Sequence, residues 1–409
     1  MQTQSAQTFI VIGAGQAGGR AVEAMRQTGF AGRIVLVGAE PHLPYERPPL
    51  SKELLAADAG ELQSMFERAW FNERDIDLHL GVAAIAIERD EKQVRLADGT
   101  AMPYDKLLLT TGAAVRELDI EGAALPGVHT LRTIEDNRAI EALFSAQKPV
   151  VVVGGGFIGL EVAAAAQLRG CAVTVLEFAD RLMGRALPAQ ISAIFAALHG
   201  ANGVDVRLDT GVARIEGTQR AEAVVTTAGD RIAVQGVIVG VGIAPQTNLA
   251  QAAGLSVENG IVVDEYCRSS DENIYAAGDA ASQWQPQLGR HLRLESWQNA
   301  QNQAIAAARN MCGADTAFAE VAWFWSDQFD VNLQMCGAPL DWKETVTRGD
   351  MAARDGILFQ LKEGRIVGAI GLNRPRDMRF VKRIMAAGKT PSPAQLADDA
   401  IGFRDLLRA

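Results

Sequence analysis

Cysteine and histidine are scarce in this chain, and neither forms a recognisable reactive cluster. The cysteines stand at Cys171, Cys267, Cys312 and Cys336, and no two of them have the CxxC spacing of a zinc site or a dithiol redox pair. The histidines show no metal-ligand spacing either and stand at His42, His79, His129, His199 and His291. The sequence therefore predicts buried, reduced thiols and no metal site.

Long apolar runs and an excess of positive charge are also missing. No stretch reaches the roughly 18 apolar residues of a membrane-spanning helix, and the polar start MQTQSAQT lacks the basic and apolar segments of a secretory signal. The net charge of −10 argues against nucleic acid as a partner. With 409 residues, 48% hydrophobic and 22% charged, we expect a cytoplasmic globular protein of two or three domains with no membrane partner.

Strand-like and helix-like segments alternate up to about residue 310, which is typical of parallel α/β sheets. The order strand, helix, strand occurs twice, so the sequence contains an internal duplication and predicts two nucleotide-binding domains. The first copy is predicted at 9–13, 20–30 and 33–38, and the second at 150–154, 159–169 and 172–177.

After about residue 320 the pattern changes to the short alternation of an antiparallel sheet. An aromatic cluster, WFWSDQF at 323–329, precedes predicted strands at 331–337, 343–349, 356–362 and 365–371, and a closing helix at 375–388. The polar tail from 389 onward carries two prolines and is weakly specified by the sequence. The fold class is therefore α/β, with two Rossmann-like dinucleotide-binding domains plus a small C-terminal α+β domain.

The first glycine-rich turn is Gly13-x-Gly15-x-x-Gly18, directly between a strand and a helix. Gly13 permits the tight turn, Gly15 lets the backbone approach a pyrophosphate, and Gly18 lets the helix pack closely on the strand. The free N–H groups at the helix start then face the phosphates. Glu40, at the end of the second strand, would accept hydrogen bonds from the adenosine ribose.

The second turn, Gly154-x-Gly156-x-x-Gly159, repeats this arrangement, with Glu177 at the end of its second strand. A carboxylate at this place binds the free 2′-hydroxyl of NAD and repels the 2′-phosphate of NADP. The sequence therefore favours NADH. Two nearby arginines could soften that preference: Arg181 and Arg185.

A third segment, NIYAAGDA at 273–280, decides which cofactor belongs to which turn. A strand that ends in Gly-Asp places Asp279 where it would hold a ribityl hydroxyl of FAD. With LLLTTG at 107–112, these segments match two-dinucleotide flavoprotein reductases. The Gly13 turn is thus predicted to bind FAD, and the Gly154 turn NADH.

Over nearly its whole length the chain resembles the ferredoxin reductases that serve bacterial oxygenases, such as those of biphenyl and toluene dioxygenases and putidaredoxin reductase. The most specific segments are PYERPPLSK (44–52), LRTIEDN (131–137), GGGFIGLEVA (154–163), ESWQNAQNQ (295–303) and WFWSDQ (323–328). The resemblance implies a discontinuous FAD-binding domain at 1–112 and 245–320, an NADH-binding domain at 113–244 and a C-terminal domain at 321–409.

The resemblance also implies the cofactor contacts, residue by residue. FAD contacts fall on Gly13, Gly15, Ala17, Gly18, Glu40, Arg47, Lys52, Ala84, Arg132, Asp279 and Trp297. NADH contacts fall on Gly154, Gly156, Phe157, Ile158, Gly159, Glu161, Glu177 and Gly242. One position departs from many relatives, which carry an acid where this chain has Ala39, so ribose binding rests on Glu40 alone.

Three residues are candidates for a catalytic role. In the family, the counterparts of Lys52 and Glu161 meet beside the flavin ring where hydride arrives. A lysine there would stabilise the reduced flavin electrostatically, and Glu161 would orient the lysine and balance its charge. Trp325 is the third, as a lid on the electron path. From the residues alone, Lys52 is more simply a surface lysine and Glu161 a glutamate favoured at a helix start by the helix dipole. The alternative for Trp325 is a core aromatic of a β-sheet.

The acceptor of the electrons is predicted to lie outside the chain. Disulfide reductases of this fold carry a cysteine pair soon after the first turn, whereas the first cysteine here is Cys171. Flavin converts the hydride of NADH into single electrons, which is what an iron–sulfur protein accepts. A basic segment could steer such an acidic ferredoxin, or could be a solvated helix face, and comprises Arg374, Arg376, Arg379, Lys382 and Arg383.

The predicted function is NADH-dependent reduction of a small two-iron ferredoxin for a Rieske-type aromatic-ring dioxygenase. A haem-thiolate monooxygenase system is a near competitor. An alternative of another class is a redox-sensing NADH-binding flavoprotein of the apoptosis-inducing-factor type, which would show slow turnover.

Overall fold

The structure is a computed structural model that describes residues 7–58, 60–285, 289–339 and 341–408. The prediction that MQTQSAQT is not a secretory signal concerns residues 1–8, most of which lie outside the described residues. The chain forms two compact units. The first takes in Met1–Glu46, Leu62–Ala114 and Ala244–Ala322, and the second Arg47–Glu61, Val115–Ile243 and Trp323–Ala409.

The strands are numbered in chain order. They are β1 (Thr8–Ile12), β2 (Arg33–Gly38), β3 (Ile76–Leu80), β4 (Ala84–Glu88), β5 (Gln93–Leu96), β6 (Ala101–Pro103), β7 (Lys106–Leu109), β8 (Ala113–Val115), β9 (Val128–Thr130), β10 (Val150–Val153), β11 (Val173–Leu176), β12 (Asp205–Arg207), β13 (Val212–Glu216), β14 (Ala223–Thr226), β15 (Arg231–Ala233), β16 (Gly236–Val239), β17 (Ile243–Pro245), β18 (Ile261–Val263), β19 (Ile274–Ala276), β20 (Ala281–Gln285), β21 (Arg290–Leu292), β22 (Trp323–Gln328), β23 (Val331–Gly337), β24 (Glu344–Asp350), β25 (Asp355–Lys362) and β26 (Arg365–Leu372).

The α-helices are α1 (Gln16–Gln27), α2 (Arg68–Asn72), α3 (Ile134–Ser145), α4 (Phe157–Leu168), α5 (Ala189–Ala201), α6 (Asn248–Ala252), α7 (Trp297–Met311), α8 (Pro375–Ala386), α9 (Pro393–Ala397) and α10 (Phe403–Arg408). Short 3₁₀ turns lie at Pro48–Ser51, Glu53–Leu55 and Gly278–Ala280. In the described residues, no helix combines the length and apolar character that crossing a membrane requires.

The first unit is built on a parallel sheet of order β19-β7-β1-β2-β3. Its central strands are apolar on both faces because both faces are covered, as in β1, where Phe9 to Ile12 are all buried. Helices α1 and α7 lie against each other through small side chains. Ala17, Ala21 and Ala304 belong to one buried cluster, and their size lets the two helices approach closely.

The second unit contains a parallel sheet of order β12-β11-β10-β16-β9, whose strand β10 is four buried valines. An antiparallel sheet of order β22-β23-β26-β25-β24 belongs to the same unit. Leu333 and Ile370 of this sheet share one buried cluster with Phe195 of α5. The α/β fold class with two dinucleotide-type sheets and a C-terminal part is confirmed, while the limits of the three predicted domains stay a prediction.

The polar tail, which the sequence specifies only weakly, forms the two short helices α9 and α10. Helix α9 begins with a capping box in which Ser392 and Gln395 exchange side-chain and backbone hydrogen bonds. Leu396, Phe403 and Leu406 are buried. A few apolar side chains are therefore enough to hold these short helices in place, because α9 packs on β24 and α10 packs on α8.

Candidate functional site

In the first turn, each glycine meets a different constraint. Gly13 has φ +114°, and a Cβ there would lie 2.1 Å from the carbonyl oxygen of Thr110. A Cβ at Gly18 would lie 1.9 Å from the carbonyl oxygen of Gly13. A Cβ at Gly15, by contrast, would meet no atom within 4 Å. The open space at the helix start is what an approaching pyrophosphate needs, so these residues fit the dinucleotide end of FAD.

Two other predicted FAD contacts of the first unit, Glu40 and Ala84, lie at strand ends. Glu40 comes just after β2, and its Oε2 accepts a 2.5 Å hydrogen bond from the hydroxyl of Tyr45. Tyr45 is 3% exposed, and the sequence did not predict its part in holding the carboxylate. Ala84 is the first residue of β4, and Ala39 is exposed.

Asp279 lies in the 3₁₀ turn Gly278–Ala280, which the structure brings against the start of α1. A Cβ at Gly278 would lie 3.4 Å from the Cβ of Ala17. The Gly278 amide donates a 2.9 Å hydrogen bond to Gln303 of α7, which fixes the turn. Trp297 begins α7, whose N-terminus is capped by the Ser296 hydroxyl. The fold thus places Ala17, Asp279 and Trp297 in the first unit although they are distant in sequence, whereas the predicted FAD contacts Arg47, Lys52 and Arg132 belong to the second unit.

The second turn repeats these constraints within the second unit. Gly154 has φ +107°, and a Cβ there would lie 2.6 Å from the carbonyl oxygen of Gly240. A Cβ at Gly159 would lie 2.2 Å from the carbonyl oxygen of Gly154, whereas one at Gly156 would meet only the Gly240 carbonyl oxygen, at 3.9 Å. Space is again left at the middle glycine, so this turn also fits a dinucleotide.

Glu177 is held rigidly beside the second turn. Its Oε2 accepts a 2.6 Å hydrogen bond from the Gly155 amide, and its Oε1 accepts a 2.8 Å bond from the Ala179 amide. The nearby Arg181 is engaged with Asp180 and with the Gly184 carbonyl oxygen. A fixed carboxylate at this place matches the free 2′-hydroxyl of NAD.

Three other predicted NADH contacts occupy varied surroundings in the second unit. Phe157 starts α4 and packs on Phe324 with 4.5 Å between ring centroids. Ile158 is 46% exposed, which is unusual for a large apolar side chain. Gly242 has φ +111°, and its carbonyl oxygen accepts from the Arg116 amide.

Lys52 and Glu161 form a buried ion pair. Lys52 lies in the PPLSK segment after the turn Pro48–Ser51, and Glu161 lies in the second turn of α4. The Nζ–Oε2 distance is 2.6 Å, and the side chains are 12% and 1% exposed. Two hydroxyls also donate to Glu161, Ser51 to Oε2 at 2.5 Å and Ser326 to Oε1 at 2.6 Å. The sequence did not predict the serines, and only their places in the PPLSK and WFWSDQ segments could have indicated them.

Trp325 lies beside this pair, with 5.6 Å between the Lys52 Nζ and the indole centroid. The indole stacks on Trp323 at 5.2 Å, and its Nε1–H donates to Asp327 at 3.0 Å. This geometry suits a cation–π contact. The indole is half-buried, so it is neither a core aromatic nor a freely exposed one.

Arg47 and Arg132 are also brought together. The Arg47 guanidinium donates to the carbonyl oxygen of Arg132. The Arg132 amide donates to Asp136, which with Thr133 forms the capping box of α3. The backbone of Arg132 is therefore fixed by the helix start, although the role of both arginines toward FAD stays a prediction.

The cysteines lie in surroundings that suppress thiol chemistry. Cys171, Cys267 and Cys336 are buried and Cys312 half-buried. Burial raises the pKa of the Cys336 thiol to about 12 and raises the pKa of Cys267 as well. A thiolate is the reactive form, so these thiols are poor nucleophiles.

Within the described residues, no group of three or more acidic, cysteine or histidine side chains could hold a metal ion.

Comparisons with known proteins agree with this geometry. The family model described as pyridine nucleotide-disulphide oxidoreductase matches residues 7–304, and the model described as reductase C-terminal matches 323–407. The chain is 45% identical to the ferredoxin–NAD(+) reductase component of the anthranilate 1,2-dioxygenase system of Burkholderia cepacia, over 98% of this chain and all of the relative.

Solved structures agree as well. The ferredoxin reductase for the CYP199A2 system from Rhodopseudomonas palustris superposes with a TM-score of 0.93 at 36% identity, over 97% of this chain and 99% of the other. A chain of the covalent putidaredoxin reductase–putidaredoxin complex gives a TM-score of 0.95 at 35% identity, over 98% of each. The chain therefore belongs to the pyridine nucleotide-disulphide oxidoreductase family, as an FAD-dependent oxidoreductase with a reductase-type C-terminal domain.

Proposed function

We propose that this protein transfers electrons from NADH, through FAD, to a small two-iron ferredoxin of a Rieske-type aromatic-ring dioxygenase system. The observation that carries the proposal is the buried Lys52–Glu161 pair in a chain with two dinucleotide turns and no reactive thiol. A disulphide-reducing member of the family needs a cysteine pair, and this chain has none of that spacing. Electrons from NADH must then leave to a partner.

When bound, FAD accepts a hydride and gives up electrons one at a time. The turn at Gly13, with Glu40 and Asp279, would hold its dinucleotide and ribityl parts, and the turn at Gly154, with Glu177, would hold NADH. Lys52 would place a positive charge where negative charge develops on the reduced ring. Fixed charge in a water-poor site is effective because no solvent has to reorganise around it.

Similar proteins support both kinds of oxygenase system. The 45% identical relative is a component of the anthranilate 1,2-dioxygenase system, and the R. palustris reductase serves the CYP199A2 system. A haem-thiolate monooxygenase system is therefore the second candidate for the terminal oxygenase. The partner in the solved putidaredoxin reductase complex is putidaredoxin, and this supports a small redox protein as the direct acceptor here.

We expect FAD-loaded protein to reduce cytochrome c rapidly with NADH only when a two-iron ferredoxin is added. NADPH should be used at least about 10-fold less efficiently, because a carboxylate held like Glu177 repels the 2′-phosphate. Initial rates at varied NADH, NADPH and ferredoxin measure both effects. Ferredoxin-independent slow turnover with a long-lived reduced complex would instead indicate a redox sensor.

The proposed docking surface is the basic segment on α8. Arg376, Arg379 and Arg383 are exposed and spaced so that they share one helix face. Arg374 contributes less, since it is paired with Asp355 at 2.5 Å and with Asp377 at 3.4 Å. Lys382 is half-buried. Exposed Arg404 of α10, 5.9 Å from the Phe380 ring, extends the surface beyond the predicted residues.

Reversing the charge of this surface should weaken ferredoxin reduction selectively. For the double variant Arg379→Glu, Arg383→Glu, we expect kcat/KM for ferredoxin to fall about 10-fold or more at low salt, because steering by complementary charge is lost. Reduction of ferricyanide by NADH should be unchanged. The matched control is Arg138→Glu with Arg365→Glu, two exposed arginines elsewhere in the same unit. Equal losses in both double variants would show that only net charge matters.

A further inference from the structure

A chain of buried hydrogen bonds extends from Glu161 into the core of the second unit. Ser326 Oγ donates to Glu161 at 2.6 Å, and Gln328 Nε2 donates to Ser326 Oγ at 3.1 Å. Gln328 Oε1 in turn lies 2.9 Å from Nε2 of His199. All four residues are buried, from 0% exposed for His199 to 3% for Glu161. The sequence predicted no role for Ser326, Gln328 or His199.

The fold places these residues in line for simple reasons. Ser326 and Gln328 are two apart on β22, so both side chains leave the same face of the strand. His199 lies in the last turn of α5, and its ring also packs edge-on against Phe329 at 5.1 Å. Helices α4 and α5 and strand β22, which are distant in sequence, therefore supply one continuous line of hydrogen bonds from His199 through Gln328 and Ser326 to Glu161.

All hydrogen bonds in this line are donated in the same direction, from His199 towards Glu161. The single hydrogen of Ser326 goes to the carboxylate, so its oxygen has to accept from the Gln328 amide. The amide oxygen then needs a donor, which makes Nε2 the protonated nitrogen of His199. The other ring nitrogen, Nδ1, has no hydrogen-bond partner among the described residues. A protonated Nδ1 would leave a buried N–H without an acceptor, so the neutral imidazole is favoured over the imidazolium. Burial lowers the pKa of His199, in agreement with this.

We propose that His199, Gln328 and Ser326 are positioning residues that keep the Glu161 carboxylate aimed at Lys52. The inference rests on the proposed role of the Lys52–Glu161 pair in flavin reduction. Glu161 receives donors on both oxygens, Ser51 and Lys52 on Oε2 and Ser326 on Oε1. Without the buried line, Oε1 would lose its donor and the carboxylate could turn away from the lysine.

The kinetic test compares variants along the line in FAD-loaded protein. We expect Ser326→Ala to lower the limiting rate of flavin reduction by NADH about 10-fold, and His199→Phe about 3-fold, because a hydrogen bond to a charged group is stronger than one between neutral groups. The NADH concentration for half-saturation should change less than about 2-fold. His199→Gln, which keeps a donor, should recover most of the rate. The matched control is Ser192→Ala, since Ser192 is buried on the same helix without a bond to this line.

A second readout does not depend on activity. In ¹H–¹⁵N spectra of the parent protein, His199 should be neutral with the proton on Nε2, which is the tautomer that donates to Gln328. A proton on Nδ1 would reverse the direction of donation and overturn the proposal. So would parental rates in both Ser326→Ala and His199→Phe. If Lys52→Ala also leaves the rate unchanged, the proposed function of the pair fails, whereas the spectra still decide whether the line exists.

Discussion

Replacing Lys52 with alanine is expected to slow the reduction of bound flavin by NADH about 100-fold, the size of effect seen when one preorganised electrostatic contact is removed from an active site. Lys52 carries the positive charge of the buried pair, and Glu161 would remain as an uncompensated negative charge. Negative charge there opposes the charge that develops on the reduced ring. Stopped-flow absorbance of the flavin under excess NADH measures the rate directly.

The control for this prediction separates charge from folding. Lys343→Ala removes an exposed lysine of the same unit and should leave the rate unchanged. Adding Glu161→Gln to Lys52→Ala should restore stability, because an unpaired buried charge costs about 3–5 kcal/mol. If Lys52→Ala reduces its flavin at the parental rate, the ion pair is structural only.

The second large effect concerns the middle glycine of the second turn. Gly156→Ala should raise the dissociation constant of NAD, which binds at the same turn without reducing the flavin, about 100-fold while leaving FAD bound and the unfolding free energy nearly unchanged. Its backbone is extended, with φ −81° and ψ 178°, and an added Cβ has no neighbour closer than 3.9 Å. The methyl would occupy the space that a pyrophosphate needs. Titration calorimetry with NAD and thermal unfolding measure the two quantities.

The neighbouring glycines are the internal controls. Gly154→Ala should instead destabilise the second unit by more than about 1–3 kcal/mol, since it adds a clash to a backbone conformation that alanine avoids. Gly15→Ala should weaken FAD binding and not NADH binding. Loss of both cofactors in Gly156→Ala would contradict the assignment of one turn to each.

Most strands and helices with a clear period were predicted close to their observed bounds, because their patterns reflect local burial, whereas α1 was predicted at 20–30 and spans Gln16–Gln27. The prediction of β2 at 33–38 matches the structure, and that of α8 at 375–388 differs only at its end. The sequence specified the tail only weakly, since α9 and α10 are too short to show a period and their few apolar residues stabilise them only by packing on neighbouring elements.

Within the site, the two turns and Glu177 were predictable because glycine and carboxylate have fixed places relative to one strand. Tyr45, Ser51 and Ser326 were not, since hydroxyl groups are common and nothing local marks a buried acceptor. His199 is the extreme case. It carries no motif, and only its 2.9 Å contact with Gln328 connects it to the chemistry.

The fold class, the two glycine-rich dinucleotide turns and the lack of a CxxC cysteine pair could all be read from the sequence. These depend on residues close together in the chain, whose backbone geometry follows from local sterics. Three features became visible only in the folded chain: the donors that meet Glu161, the division of the basic segment into exposed and paired arginines, and the helices of the C-terminal tail. Those features join residues up to 165 positions apart, from Glu161 to Ser326. Only packing brings such residues within hydrogen-bond distance.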